Sequence, residues 1–152
     1  MFASICLLVL LLLAACGGQT HSGSTVLASY VGHWVAHDDE LIINTDGTGV
    51  ESWNAGPCTS EVTSYPSLCT GIGSLMFRVN ADGSLTGTYQ SVDYKSSSGQ
   101  LPPGFQPPTG YPEVGNTIML QHNGQHLLAA MVNGNRWNYC DPYALSKAEC
   151  GA

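Results

Sequence analysis

The residues best suited to chemistry lie in one short segment, Gly32–Glu40, which reads GHWVAHDDE and contains two histidines and three acids. On a strand, His33 and His37 face the same side about 13 Å apart, too far to share a metal without a ligand from another strand. Asp38 faces the other side, so it is badly placed to orient His37 as a general base unless the strand has already ended. Two interpretations stay open: half of a metal or acid–base site, or a solvated strand end that enters a turn.

A second pair of histidines flanks an Asn-Gly turn in the sequence HNGQ, residues His122–Gln125. A two-residue hairpin loop places His122 opposite Gln125 and Gln121 opposite His126. The two imidazoles then leave on opposite faces of the hairpin. We therefore expect no joint metal site here.

Motifs of known nucleophiles are missing from the sequence. The segment GIGSL around Ser74 does not match G-x-S-x-G, and the chain has no S-x-x-K, H-E-x-x-H, P-loop or G-x-G-x-x-G pattern. We expect no catalytic residue, no cofactor and no metal site, and a function other than catalysis.

A proline-rich stretch, Ser96–Gly115, contains five of the eight prolines. It is predicted to be a long loop, because proline cannot donate hydrogen bonds within a central strand. Its aromatic residues Phe105 and Tyr111 either contact a partner from a stiff loop at low entropic cost or fold back as a lid over one end of the domain. With Trp34 and His37, they are the candidate binding residues.

Short apolar–polar alternations separated by turn signals predict strands throughout the rest of the chain. The turns NTDGT (Asn44–Thr48) and NADGS (Asn80–Ser84) fit a type I turn followed by a glycine bulge. For the second turn, this loop pairs Asn80 with Ser84 and brings one apolar face together: Leu75, Phe77 and Val79 opposite Tyr89, Gly87 and Leu85. For the first turn, the same rule sets Glu51 opposite Leu41, the two faces do not separate, and the register stays open.

The predicted fold is all-β, with about eight antiparallel strands that mostly form a meander. Three consecutive strands are expected near 115–122, 125–132 and 135–140. A meander of this size removes its edges by closing into a small barrel or by folding into a sandwich. We favour the barrel, because nearly every connection is a hairpin.

Four of the six cysteines lie in the part of the chain that is expected to fold: Cys58, Cys69, Cys140 and Cys150. An even number in an exported chain indicates two disulfides. Of the three possible pairings, we favour Cys58–Cys69 and Cys140–Cys150, because each closes a short local loop. Neither pair has the C-x2-C spacing typical of zinc sites.

The N-terminal segment Ile5–Ala15 is a run of eleven apolar residues. That is too short for a transmembrane helix, which needs about twenty, and has the length of a signal-peptide core. The following LAAC, Leu13–Cys16, resembles the bacterial lipobox. The resemblance implies a signal peptide over residues 1–15, a diacylglyceryl thioether on Cys16, and anchoring by lipid to the outer face of the cell membrane. A flexible tether is then expected over residues 16–25 and the β domain over 26–152.

The charge of the chain argues against nucleic acids and anionic membrane surfaces as partners. The formal net charge is −7, and the four basic residues form no cluster. A nucleic-acid-binding protein needs a basic surface to neutralise phosphates, and docking on anionic lipid headgroups needs one too. Membrane attachment is therefore expected through the lipid on Cys16.

Both ends of the domain resemble a family without an established activity. YVGHWVAHDDELIINTDGTG and the closing YCDPYALSKAECGA resemble small secreted proteins and lipoproteins of high-GC Gram-positive bacteria, mycobacteria and relatives. The matching positions include Gly32, Trp34 and His37. The Gly32-x-Trp34 pair is also similar to the opening motif of lipocalins, which are barrels.

The function expected from the sequence is binding by a lipid-anchored, non-enzymatic domain in the cell envelope, with the proline-rich loop as a possible site for a protein partner. Three alternatives stay open. They are a lipocalin-like carrier of a small lipophile, an envelope hydrolase that uses His37, and a phage- or prophage-encoded surface protein that excludes a second infection.

Overall fold

The structure is a closed eight-stranded antiparallel barrel, seen in a computed structural model that describes residues 22–58, 67–107, 109–132 and 135–146. The strands follow one another around the barrel in chain order. Their bounds are β1 Gly32–Ala36, β2 Asp39–Ile43, β3 Thr48–Pro57, β4 Leu68–Val79, β5 Leu85–Ser96, β6 Thr117–His122, β7 Leu127–Val132 and β8 Asn135–Cys140. Strand β1 closes the barrel against β8, where Val35 pairs with Cys140.

This architecture confirms the predicted all-β meander barrel and excludes the sandwich. The proline-rich stretch leaves β5 after Ser96, and the described part of 97–116 contains no strand. The predicted Cys58–Cys69 disulfide is present and ties the end of β3 to the start of β4. Cys150 lies outside the described residues, so the pair Cys140–Cys150 stays a prediction. Cys16 and the signal segment also lie outside them.

The two turns with Asp-Gly sequences set the register of the long hairpins. In each turn the aspartate carboxylate accepts a hydrogen bond from the backbone two residues later, at 2.9 Å from Thr48 N to Asp46 and 3.0 Å from Ser84 N to Asp82. The glycine that follows has a positive φ, as the bulge requires. The predicted Asn80–Ser84 hairpin is confirmed, with Phe77 opposite Gly87. The register left open at the first turn is the one that sets Glu51 opposite Leu41.

One end of the barrel is closed by the chain that precedes β1. A short helix, α1 (Ser22–Ala28), begins inside the segment assigned to the tether from the sequence. After it, Tyr30 is buried and its hydroxyl donates to the carbonyl of Gly83 at 3.0 Å. Trp34 is buried beside it, and its indole N–H donates to the carbonyl of Tyr30 at 2.9 Å. Hydrogen-bonded aromatic rings therefore fill this end, which we call the closed end.

Glycines at inward-facing positions of the strands make room for large rings in the core. A β-carbon on Gly71 would lie 2.1 Å from the ring of Trp53, and one on Gly87 would lie 2.5 Å from the ring of Phe77. Real side chains do not approach so closely, so these rings lie across the barrel only because the facing positions are glycine. The core also contains fully buried side chains from β2, β5, β6 and β7: Leu41, Ile43, Leu85, Tyr89, Ile118, Leu120 and Leu128.

The register predicted at the second histidine pair is wrong. His122 pairs with Leu128, and the backbone N–H of Asn123 donates to the carbonyl of Leu127 at 2.9 Å. The loop therefore contains three residues between Asn123 and Leu127 instead of two. The histidines are separated as expected but for another reason. His122 packs on Tyr30, and His126 contacts Asp141, which precedes a short second helix, α2 (Pro142–Ser146).

Strand β1 ends between the two histidines of the segment Gly32–Glu40. Strand β1 stops at Ala36, so His33 lies on the strand, whereas His37 lies in the turn to β2 with a φ of 48°. The strand geometry expected for His37 is therefore wrong, because the strand ends before His37 and the chain enters a turn there. His33 instead lies 3.6 Å from Glu40 on the exposed side of the hairpin.

No helix among the described residues is long and apolar enough to cross a membrane.

Candidate functional site

A pocket of about 590 Å³ occupies the end of the barrel opposite the closed end. The β1–β2 turn, the start of β2, the second half of β3, the end of β7 and strand β8 surround it. Part of the loop 97–116, which we call the lid, covers one side. Its lining combines acids, aromatic rings and one imidazole: His37, Asp38, Asp39, Glu51, Trp53, Asn54, Gly56, Thr109, Gly110, Tyr111, Pro112, Val132, Trp137 and Tyr139.

Glu51 forms the floor of this pocket. It occupies an inward position on β3 opposite Leu41, where alternation along a strand normally places an apolar side chain. The side chain is buried, and the hydroxyl of Tyr139 donates to its Oε1 at 2.5 Å, while the hydroxyl of Tyr89 donates to its Oε2. Two tyrosines on different strands therefore fix the carboxylate in one orientation.

Burial raises the pKa of the titratable groups around the floor. Burial raises the pKa of the Glu51 carboxyl, against the effect of the two tyrosine hydrogen bonds. Burial, and then the negative charge of Glu51, raises the pKa of Asp39 to about 6. Burial and the same charge hold the pKa of both tyrosine hydroxyls far above its usual range, so they stay protonated and act as donors. No lysine or arginine is among the residues that line the pocket.

Aromatic rings form the wall beside the lid. Tyr111, from the lid, stacks on Trp53 with ring centroids 6.3 Å apart and planes 14° apart. Its hydroxyl donates to the carbonyl of Asn54 at 3.1 Å, which fastens the lid to β3. Deeper in the lid, Phe105 packs against Tyr94 with centroids 5.4 Å apart. Of the two interpretations left open for these aromatics, the structure supports the one in which they fold back over one end of the barrel.

Two polar atoms under the lid have no hydrogen-bond partner among the described residues. They are the indole Nε1 of Trp53 and the hydroxyl oxygen of Tyr94. The two rings meet edge to face, with centroids 6.1 Å apart. A buried polar group without a partner costs free energy, so a ligand that accepts a hydrogen bond from the Trp53 indole N–H, or that bonds to the Tyr94 hydroxyl, would remove this cost.

The four candidate binding residues from the sequence fall in different places. His37 and Tyr111 line the pocket. Phe105 packs against Tyr94 and does not line the pocket. Trp34 is buried in the core at the closed end and does not line the pocket, so we leave it out of the candidate site.

Asp39 lies in the segment singled out from the sequence, but sequence reasoning missed four other residues of the pocket: Glu51, Trp53, Trp137 and Tyr139. One signal for them was present. The turn rule placed Glu51 opposite Leu41, and a charged residue opposite an apolar one marks a place where the core is interrupted. The other three come from β3 and β8, and only the closed barrel brings them together.

The described part of the chain contains no group of three or more histidine, cysteine, aspartate or glutamate side chains arranged to bind a metal ion. The pocket is thus a concave surface of carboxylates and aromatic rings, with a volume in the range of small-molecule sites.

Comparisons with protein-family models, with curated proteins and with solved structures found no match for this chain.

Proposed function

We propose that this chain is a lipid-anchored binding protein of the cell envelope that binds a small molecule in the open end of its barrel. The observation that carries the proposal is the asymmetry of the interior. Buried side chains fill the closed end, whereas the opposite end has a pocket of about 590 Å³. A barrel that needed only stability would fill both ends, because cavities in a core are destabilising.

The composition of the wall also favours ligand binding. Trp137 faces the pocket with 46% of its surface exposed, although tryptophan normally contributes its large apolar area to a core. Exposed aromatic surface in a concavity is typical of ligand sites.

The lipid anchor is the part of the proposal that rests on the lipobox alone, and Cys16→Ser tests it. The variant should lose incorporation of an alkyne fatty acid, and equal labelling of both proteins would contradict the anchor.

The binding function is tested on full-length protein extracted from native membranes in mild detergent. Native mass spectrometry should find a small molecule that leaves on denaturation. Trp137→Ala should reduce its occupancy several-fold, because it removes the exposed wall of the pocket. Tyr143→Ala is the matched control, since Tyr143 is similarly exposed but does not line the pocket. Equal small-molecule content in wild type and Trp137→Ala would contradict the proposal.

A hydrolase is the second candidate, because His37 lines the same pocket as Asp39 and Glu51. An imidazole beside two carboxyls is a set of groups suited to proton transfer. His37→Ala separates the two functions. Binding should survive the change with less than a threefold loss of affinity, whereas turnover of a bound ester or amide would disappear.

A further inference from the structure

The pocket carries negative charge that no basic side chain in its lining compensates. Its lining contains Asp38, Asp39 and Glu51 but neither lysine nor arginine. Of the described basic residues, Arg78 and Lys95 lie on outward positions of β4 and β5, and Arg136 lies on an outward position of β8. Buried carboxylates are usually paired with a positive charge. The described residues give these carboxylates hydrogen-bond donors but no positive charge.

Glu51 retains the capacity to accept such a partner. An ionised carboxylate has about four acceptor positions, and the tyrosine hydroxyls occupy one on each oxygen. The tyrosines fix the direction of the carboxylate without neutralising it, because hydroxyls bring no charge. A donor in the pocket therefore finds an oriented acceptor that needs no rearrangement before binding.

The aromatic wall favours the same kind of partner. Organic cations bind to the faces of tryptophan and tyrosine rings, whose π-electrons attract positive charge. Trp53, Tyr111 and Trp137 line the pocket, and 46% of the surface of Trp137 is exposed. Carboxylates at the floor and ring faces at the wall form two independent features that select a positively charged organic group.

We propose that the ligand is an organic cation, a small molecule whose ammonium group lies between Asp39 and Glu51 and whose apolar body lies against Trp137 under the lid. This inference rests on the proposed binding function and adds the chemical class of the ligand. A lipophile without charge would leave the negative charge of both carboxylates uncompensated, and an anion would be repelled by them. Burial raises the pKa of both carboxyls, which reflects a cost of burying negative charge that a cation between them would offset.

The test compares three probes of one shape that differ in charge: 2-phenylethylamine, 2-phenylethanol and 3-phenylpropanoate. Isothermal titration calorimetry of the full-length protein in detergent, at pH 7.5, measures each affinity. The amine should bind at least tenfold more tightly than the alcohol, as expected for one charge-assisted hydrogen bond, and the carboxylate should bind most weakly. Equal affinity of amine and alcohol would overturn the inference while leaving the binding function intact. Absence of binding by all three would overturn both.

Two variants test whether Asp39 in the pocket recognises the charge of the amine. Asp39→Asn should weaken binding of the amine about tenfold and leave the affinity of the alcohol unchanged within twofold, because only the charge is removed. Asp93→Asn is the control, since Asp93 is exposed on β5 and does not line the pocket. Its affinity for the amine should match wild type within twofold. An equal loss in both variants would mean that net charge attracts the amine, and it would overturn the assignment to this pocket.

Discussion

Asp39→Asn should make the unliganded protein more stable at neutral pH. Asp39 lies at an inward position of β2 beside the Glu51 carboxylate, in the pocket wall. Burial and that neighbouring charge raise its pKa in the folded protein, so ionisation at neutral pH opposes folding. Asparagine has the same shape and carries no charge. The substitution therefore removes a destabilising interaction.

The magnitude follows from the difference between two pKa values. In the folded state the pKa of Asp39 is about 6, against a reference of 3.8. A difference of this size corresponds to about 3 kcal/mol when both states are fully ionised. Because the side chain is only partly buried, solvent screening reduces this figure. We expect the free energy of unfolding to rise by about 1–1.5 kcal/mol at pH 7.5.

The direction of the pKa shift of Asp39 fixes the pH range in which this residue lowers the stability of the protein. Between about pH 4 and pH 6 the folded state binds the Asp39 proton more tightly than the unfolded state does. Wild type therefore loses stability from this group as the pH rises through that range, and the variant does not. The advantage of the variant should be largest above pH 7 and should shrink toward zero near pH 4.

Urea unfolding followed by tryptophan fluorescence measures this difference. At pH 7.5 the midpoint of the variant should lie about 0.5–1 M urea above wild type, given typical slopes for small domains. Asp93→Asn, which removes an exposed carboxylate outside the pocket, should change the free energy of unfolding by less than about 0.5 kcal/mol. A variant less stable than wild type at pH 7.5, or an advantage independent of pH, would refute the reasoning about the pocket floor.

Three further changes test the barrel and its lid. Gly71→Ala should lower the free energy of unfolding by about 1–3 kcal/mol, because a β-carbon there meets the ring of Trp53; thermal melts measure the loss. Replacing both Cys58 and Cys69 by serine should cost about 3 kcal/mol in the chain-entropy model, seen as a lower urea midpoint. Tyr111→Phe should speed hydrogen exchange and proteolysis within the lid while lowering global stability by no more than about 1 kcal/mol, since one exposed hydrogen bond is lost.

Each of these changes has a control or a contrary result. Gly23→Ala, in α1, adds a β-carbon that meets nothing within 4 Å and should cost no stability; a loss equal to that of Gly71→Ala would contradict the packing argument. An unchanged urea midpoint after reduction of wild type would contradict the contribution of the disulfide. Protection of the lid that is identical in Tyr111→Phe and wild type would show that the hydroxyl does not fasten it.

The fold was predictable where local turn chemistry and alternation agree. The Asn80–Ser84 turn and the apolar face around Phe77 predict the same register, and the structure has it. The loop after His122 was predicted incorrectly because Asn-Gly also fits a three-residue loop, and the flanking residues have no alternation strong enough to choose. Helix α1 was missed because it has only seven residues, too few to show a helical period.

The pocket was predictable only in part. His37 and Tyr111 were recognised by residue type, and both line it. Glu51 was noticed only as a residue that disturbs the register, since a single sequence does not show that Tyr139, 88 residues later, reaches its carboxylate. Contacts between distant strands depend on closure of the barrel, and no local pattern encodes them. The disturbed alternation at Glu51 was the signal of the site.

A crystal structure of the protein soaked with 2-phenylethylamine tests most directly whether the pocket binds an organic cation. We predict density in the open end of the barrel, with the nitrogen at about 2.7–2.9 Å from a carboxylate oxygen of Asp39 or Glu51 and the phenyl ring against Trp137. A ligand bound elsewhere, or a pocket filled by the side chains of Trp137 and Tyr111, would contradict it.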